Sequence, residues 1–152
     1  MRVTLAAVGK MKDSPEKVLL EKYIRQLPWA FTLKEIDIKK SLESDQRKEA
    51  EAQKLLEACS DAHKLIALDE RGENQSSESL AKHIAGWQQQ GCSHIAFIIG
   101  GQDGLSQSIR DKSHLLLSFG KLTWPHMLVR PMLAEQLYRI HTILSGHPYH
   151  RS

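Results

Sequence analysis

A chain of 152 residues, 41% apolar and 26% charged, has the size and makeup of one folded domain, which excludes disordered and fibrous classes. Its net charge of +3 permits an anionic partner such as RNA but falls short of a basic nucleic-acid arm. No apolar run approaches bilayer length and the opening stretch is too short for a signal peptide, so a cytoplasmic protein with no membrane association is expected.

Val3–Val8 is a compact aliphatic run closed by Gly9, the pattern of a buried strand. Ser14-Pro15 then opens a helix, with Ser suited to the cap and Pro to the first turn, and Pro28 stops it. Phe31–Ile38 alternates apolar and polar residues as a second strand. The run from Lys39 to Lys54 is dominated by charged and amide side chains and reads as the solvated face of a helix, with a flexible entry around Ser41–Asp45. Leu55, Leu56 and Cys59 give that helix its apolar side.

Lys64–Asp69 is a third strand, Gly72–Ser77 a polar loop, and Ser79–Gln90 a third helix ending at Gly91. His94–Ile99 is the most strand-like stretch of the chain, cut off by Gly100-Gly101. A short helix over Ser106–Lys112 and a short strand over His114–Ser118 follow. The loop Phe119–Trp124 leads into a long helix from near Pro125 to near Gly146, with Leu133, Leu137, Ile140 and Leu144 as its apolar stripe. Pro131 removes a backbone donor inside that helix and is expected to bend it near Met127–Pro131. Strands alternating with helices imply an α/β fold, a parallel sheet with helices on both faces, in a single domain over 1–152.

In open α/β sheets ligands sit beyond the carboxyl ends of the strands. Three such ends carry candidate chemistry: Leu68–Gly72, Ile99–Gly104 and Ser118–Trp124. Gly100-Gly101 lets a backbone approach a ligand and exposes N–H groups, or simply makes a tight turn. It matches neither the dinucleotide fingerprint nor the phosphate loop, which disfavours a Rossmann-like enzyme using a nucleotide cofactor. Asp69 caps the next turn or faces a ligand. Glu135 and Arg139 have the spacing of a helical ion pair. Arg130, at the start of the last helix, is either a surface charge or a ligand contact. The tail His147-Pro148-Tyr149-His150-Arg151 is a frayed end or a cationic aromatic surface suited to RNA. Eight histidines and two isolated cysteines form no spaced ligand set, so no metal is expected.

Three segments together resemble one family. They are Ile99-Gly100-Gly101-x-x-Gly104-Leu105, then Leu122-Thr123-Trp124-Pro125-His126-x-x-x-Arg130, and Glu135-Gln136-Leu137-Tyr138-Arg139 followed by the His147–Arg151 tail. With Leu5-Ala6-Ala7-Val8-Gly9-Lys10 at the start, they are similar end to end to the ribosomal RNA large subunit methyltransferase H family of the SPOUT class. Pro131 stands where that family usually has an aliphatic residue.

The resemblance implies a C-terminal trefoil knot, a homodimer, and S-adenosylmethionine-dependent methylation of N3 of a pseudouridine in helix 69 of 23S rRNA in the assembled 70S ribosome. It places Leu68, Gly100, Phe119, Gly120, Lys121, Leu122, Thr123 and Trp124 at the methyl donor. It places Arg130, His126, Tyr149 and His150 in catalytic roles, with Arg151 beside them on the RNA side. Arg130 would orient the base or its phosphate, and His126 and His150 would accept a proton. On that reading Arg130→Ala abolishes methylation and spares cofactor affinity. The alternative is a non-catalytic ribosome-binding or RNA-binding α/β domain.

Overall fold

The computed structural model describes residues 1–38 and 42–151. Its elements in chain order are β1 (Arg2–Val8), α1 (Pro15–Gln26), β2 (Ala30–Ile36), α2 (Ser44–Ala58), β3 (Lys64–Asn74), α3 (Ser77–Gln89), β4 (His94–Ile99), α4 (Gln107–Lys112), β5 (Leu115–Ser118) and α5 (His126–Ser145). Side-chain chemistry accounts for the helix starts. Ser14, Ser76 and Ser106 each accept a hydrogen bond from the backbone N–H three residues on, satisfying a donor the helix leaves unpaired. Gly146, at φ +72°, ends α5 in the left-handed conformation that residues with a Cβ rarely adopt.

All five strands are parallel, in the order β2-β1-β4-β3-β5. Parallel strands buried on both faces need near-continuous apolar sequence, which Val3–Ala7 and the fully buried β4 supply. One face packs Leu5, Phe97 and Leu117 against α3 and α5, with Leu27 after α1. The other packs Ala6, Ala67 and Ile98 against Ala52 and Leu55 of α2 and Ile109 of α4. The two apolar clusters make a helix–sheet–helix sandwich.

Four boundaries differ from the sequence reading by two residues or more. β2 closes at Ile36, where its pairing with β1 ends at Val8. Ser76 rather than a later residue caps α3, so that helix starts at Ser77. Lys39–Ser41, the start of the expected charged helix and of its entry loop, lie outside the described residues; α2 itself begins at Ser44. The largest difference is at Gly72–Ser77, expected as a loop. β3 instead continues to Asn74, with a register break: Leu68 pairs with Leu117, residues 69–72 bulge outward, and Glu73 returns to pair with Leu117 again. A Cβ at Gly72 would stand 2.6 Å from the Leu116 carbonyl, so only glycine lets the bulge cross the β5 backbone this closely. α5 carries Pro131 in its second turn and runs to Ser145 as one helix.

Candidate functional site

Register brings three strand ends to one point. Leu68 lies opposite Ile99 on one side and Leu117 on the other, so the chain leaves β3, β4 and β5 together at their carboxyl edge. A cleft of about 680 Å³ opens there. Its wall includes Leu68, Gly100, Phe119, Gly120, Leu122, Thr123, Trp124 and His126, all expected from the sequence. Lys121 is exposed and is absent from that wall.

The loop after β5 is held by its own polar atoms. The Ser118 hydroxyl donates to the Gly120 carbonyl at 2.9 Å and accepts from the Gly120 N–H at 3.2 Å. The Trp124 indole N–H donates to the Phe119 carbonyl at 3.3 Å. These bonds use the side chains to fold the loop and leave Leu122 and Trp124 exposed at the rim, at 72% and 39%.

The loop after β4 is a tight turn. Gly104, at φ +77°, donates its N–H to the Gly101 carbonyl at 3.1 Å. A Cβ at Gly100 would stand 2.8 Å from Leu105 and 2.9 Å from the Gly104 carbonyl oxygen. Asp69 takes the capping role: it accepts from the Arg71 N–H at 2.9 Å and from Arg110 Nε at 2.6 Å. Burial pushes its pKa up, and these two donors outweigh the burial, so the carboxylate stays ionised below its usual range.

His126 starts α5 at the cleft, half-buried. Burial first, and then the positive charge of Arg130, hold its pKa below the usual imidazole value. A neutral imidazole at the edge of a cleft can accept a proton.

The structure corrects the placement of Arg130. It is neither a surface charge nor a group facing the cleft: its side chain is fully buried. One guanidinium nitrogen donates to Glu35 at 2.8 Å, and the other donates to the Val8 and Gly9 carbonyls at 2.9 and 2.8 Å. The guanidinium thus ties the first turns of α5 to the ends of β1 and β2.

The tail is likewise engaged elsewhere. Tyr149 donates its hydroxyl to Glu135 at 3.0 Å, its ring lies under the Arg139 guanidinium at 4.9 Å, and burial with the Glu135 contact pushes its pKa to about 12. At neutral pH it is a donor and not a base. His150 accepts from Arg139 at its Nδ1, 3.3 Å away, which leaves Nε2–H to donate to Glu78 at 2.8 Å. Glu135 and Arg139 do form the expected helical pair. The tail therefore lies along α3 and α5, away from this chain's own cleft. Arg151 is exposed.

A second groove of about 420 Å³ runs along this face, lined by Leu19, Tyr23, Leu80, Phe119, Pro131 and Glu135 among others. Phe119 borders both cavities.

The charged helix holds what the sequence reading missed. Lys48 reaches the cleft wall, and Arg47 and Ser44 bind Asp103 at 2.7 and 3.1 Å. Glu51 is buried beneath Gly101. Ser44, Arg47 and Glu51 are spaced i, i+3, i+7, one face of a helix, and that spacing is the signal that singles them out from an otherwise solvated run.

A family model described as "Predicted SPOUT methyltransferase" matches residues 1–150. The chain belongs to the SPOUT methyltransferase family. Relatives within it cover the whole chain. The Ribosomal RNA large subunit methyltransferase H of Rhodospirillum centenum is 49% identical over 100% of both chains, and that of Paramagnetospirillum magneticum is 48% identical over 99% of both. Among solved structures, a probable methylase family protein from Haemophilus influenzae Rd KW20 superposes with a TM-score of 0.61 at 12% identity. That match covers 99% of this chain and 70% of the other. A probable methyltransferase from Bordetella pertussis Tohama I gives 0.59 at 13%, covering 91% and 95%. At that identity they share the SPOUT fold with this chain, and the family membership makes it a methyltransferase. No helix among the described residues is long and apolar enough to cross a membrane.

Proposed function

We propose that this SPOUT methyltransferase moves a methyl group from S-adenosylmethionine to N3 of a pseudouridine in helix 69 of 23S rRNA. It acts on the assembled 70S ribosome in the cytoplasm, as a homodimer with a trefoil-knotted C-terminal segment. The observation that carries the reading is the cleft: Leu68, Gly100, Phe119, Gly120, Leu122, Thr123 and Trp124 come together from three strand ends, and relatives matching along the whole chain are named as ribosomal RNA large subunit methyltransferases.

The residues present fit the donor. Its adenosine and methionine parts need apolar contact and backbone hydrogen-bonding groups in a cavity of a few hundred Å³. Leu68, Phe119 and Leu122 offer the first, and the backbone of the tight turns at 100–104 and 118–120, which lines the cleft, the second. When bound, the donor supplies an electrophilic methyl carbon on a sulfonium, so the protein's work is mainly positioning. Neutral His126 takes the N3 proton. Leu122 and Trp124 give an unpaired base an apolar surface to stack on. Arg130 holds the α5 start, and with it His126, at the edge of the cleft.

The tail, docked on α3 and α5, serves the partner's cleft through Tyr149, His150 and Arg151. The groove beside exposed Val18 and Leu19 is the face for that partner.

Calorimetric titration with S-adenosylmethionine tests the cleft. Wild type is expected to bind saturably, and Thr123→Trp, which fills the cleft from an exposed loop, to bind at least tenfold more weakly. Absence of binding by wild type contradicts the proposal and favours a ribosome-binding domain without catalysis.

A further inference from the structure

Glu51 is 4% exposed, in a helix otherwise rich in solvated charge. Nothing in the proposed chemistry uses it. Its Oε2 is buried with no hydrogen-bond partner among the described residues. The Gly101 backbone packs against its carboxylate, and the Gly101 N–H favours the ionised form. A Cβ built on Gly101 would lie 3.0 and 3.2 Å from its two oxygens and 3.1 Å from Val8, so carboxylate and turn are packed against each other with no space between.

Charged and polar neighbours approach from two elements. Arg47 and Lys48 lie on α2, and Asp103 lies on the turn, where it accepts from Arg47 and Ser44. Burial and Asp103 push the Glu51 pKa up, and Arg47 and the Gly101 N–H favour the ionised form. A carboxylate buried under a backbone turn carries a desolvation cost that polar groups of that turn can offset.

We infer that Glu51 is a positioning residue: by accepting the Gly101 N–H from below, it fixes the Gly100–Gly104 turn in the shape that forms the cleft wall. This rests on the reading that the cleft holds S-adenosylmethionine. The carboxylate touches neither donor nor RNA. It acts through the backbone, as Arg47 does through Asp103 at the other end of the turn. A Cβ at position 101 would make Glu51 and Val8 give by a few tenths of an ångström, so glycine there suits the same contact.

The role is that of an acceptor, so an amide should replace the carboxylate and a hydrocarbon should not. Glu51→Gln and Glu51→Leu are compared with wild type and with Thr123→Trp. The readouts are calorimetric affinity for S-adenosylmethionine, the KM for ribosomes, thermal unfolding, and the Gly101 and Gly104 amide resonances. Glu51→Leu is expected to unfold like wild type within a few degrees, shift both glycine resonances, weaken donor binding at least tenfold and leave the ribosome KM within twofold. Glu51→Gln is expected to keep donor affinity within threefold and both resonances near their wild-type positions.

Wild-type affinity in Glu51→Leu overturns the inference, as does equal loss in both Glu51 variants. If Glu51→Leu fails to fold, Glu51→Gln decides alone, through whether its glycine resonances and affinity stay near wild type. Wild-type affinity in Thr123→Trp removes the underlying cleft reading and leaves the resonance result for Glu51 standing separately.

Discussion

His126 sits where the strand ends meet the last helix, and burial and the Arg130 charge both disfavour its protonation. Its folded-state pKa is below that of the unfolded chain. The free imidazole is therefore present across neutral pH, and protonation on acidification costs both the proposed base and some stability. The rate of methyl transfer at saturating donor should be flat near pH 7.5 and fall as pH drops below the usual imidazole range. His126→Gln should run several-fold or more below wild type, with that acid limb gone. An unchanged limb in a pH–rate profile of His126→Gln would assign the titration to another group.

Arg130 shows how burial changes the meaning of a charge. Its guanidinium satisfies Glu35 and two carbonyls, and its Nε has no partner among the described residues. Removing it takes one donor from each of two carbonyls and leaves Glu35 with the Met11 N–H. Arg130→Ala should thus cost about 3 kcal/mol or more in urea unfolding, the range for breaking a buried pair. Loss of activity in that variant should follow loss of fold, in contrast to the sequence expectation that cofactor affinity survives. A variant as stable as wild type would return Arg130 to a direct role.

At the scale of elements, most boundaries follow from local chemistry visible in the sequence. Ser-Pro and Ser caps, Gly146 and the unbroken apolar run of β4 act within one turn or strand of themselves. Two features did not follow, for non-local reasons. The end of β3, Asp-Glu-Arg-Gly-Glu-Asn, has no strand pattern because its pairing is imposed by β5, far along the chain. Glu51 looks solvated because burial there depends on where the Gly100–Gly104 turn lands. The cleft residues were legible as three strand ends. The destinations of Arg130, Tyr149 and His150 were not, because they pair with Glu35, Glu135 and Glu78 across elements. Gly72→Ala tests the crossing of β3 over β5. The added methyl meets backbone at 2.6 Å, which cannot move aside as a side chain end can, so about 2–3 kcal/mol should be lost in denaturant unfolding. A loss under about 0.5 kcal/mol would mean the bulge is free to lift.

For the whole molecule, the sheet builds one cleft at the carboxyl ends of β3, β4 and β5 and lays the cationic tail on a different face, along α3 and α5. On the proposed function, a single chain so arranged separates the donor cleft from the tail proposed to face RNA, and the proposed homodimer would reunite them. On the same proposal, the cleft delivers a methyl group to 23S rRNA in the assembled ribosome. The direct measurement is incubation of the purified protein and methyl-labelled S-adenosylmethionine with 70S ribosomes, separate subunits and bare rRNA, all lacking this modification. Mass spectrometry of rRNA fragments then reads the label. Label is expected in 23S rRNA from 70S ribosomes alone, on N3 of a helix 69 pseudouridine. No label in any RNA, or label confined to 16S rRNA or to bare RNA, would contradict it.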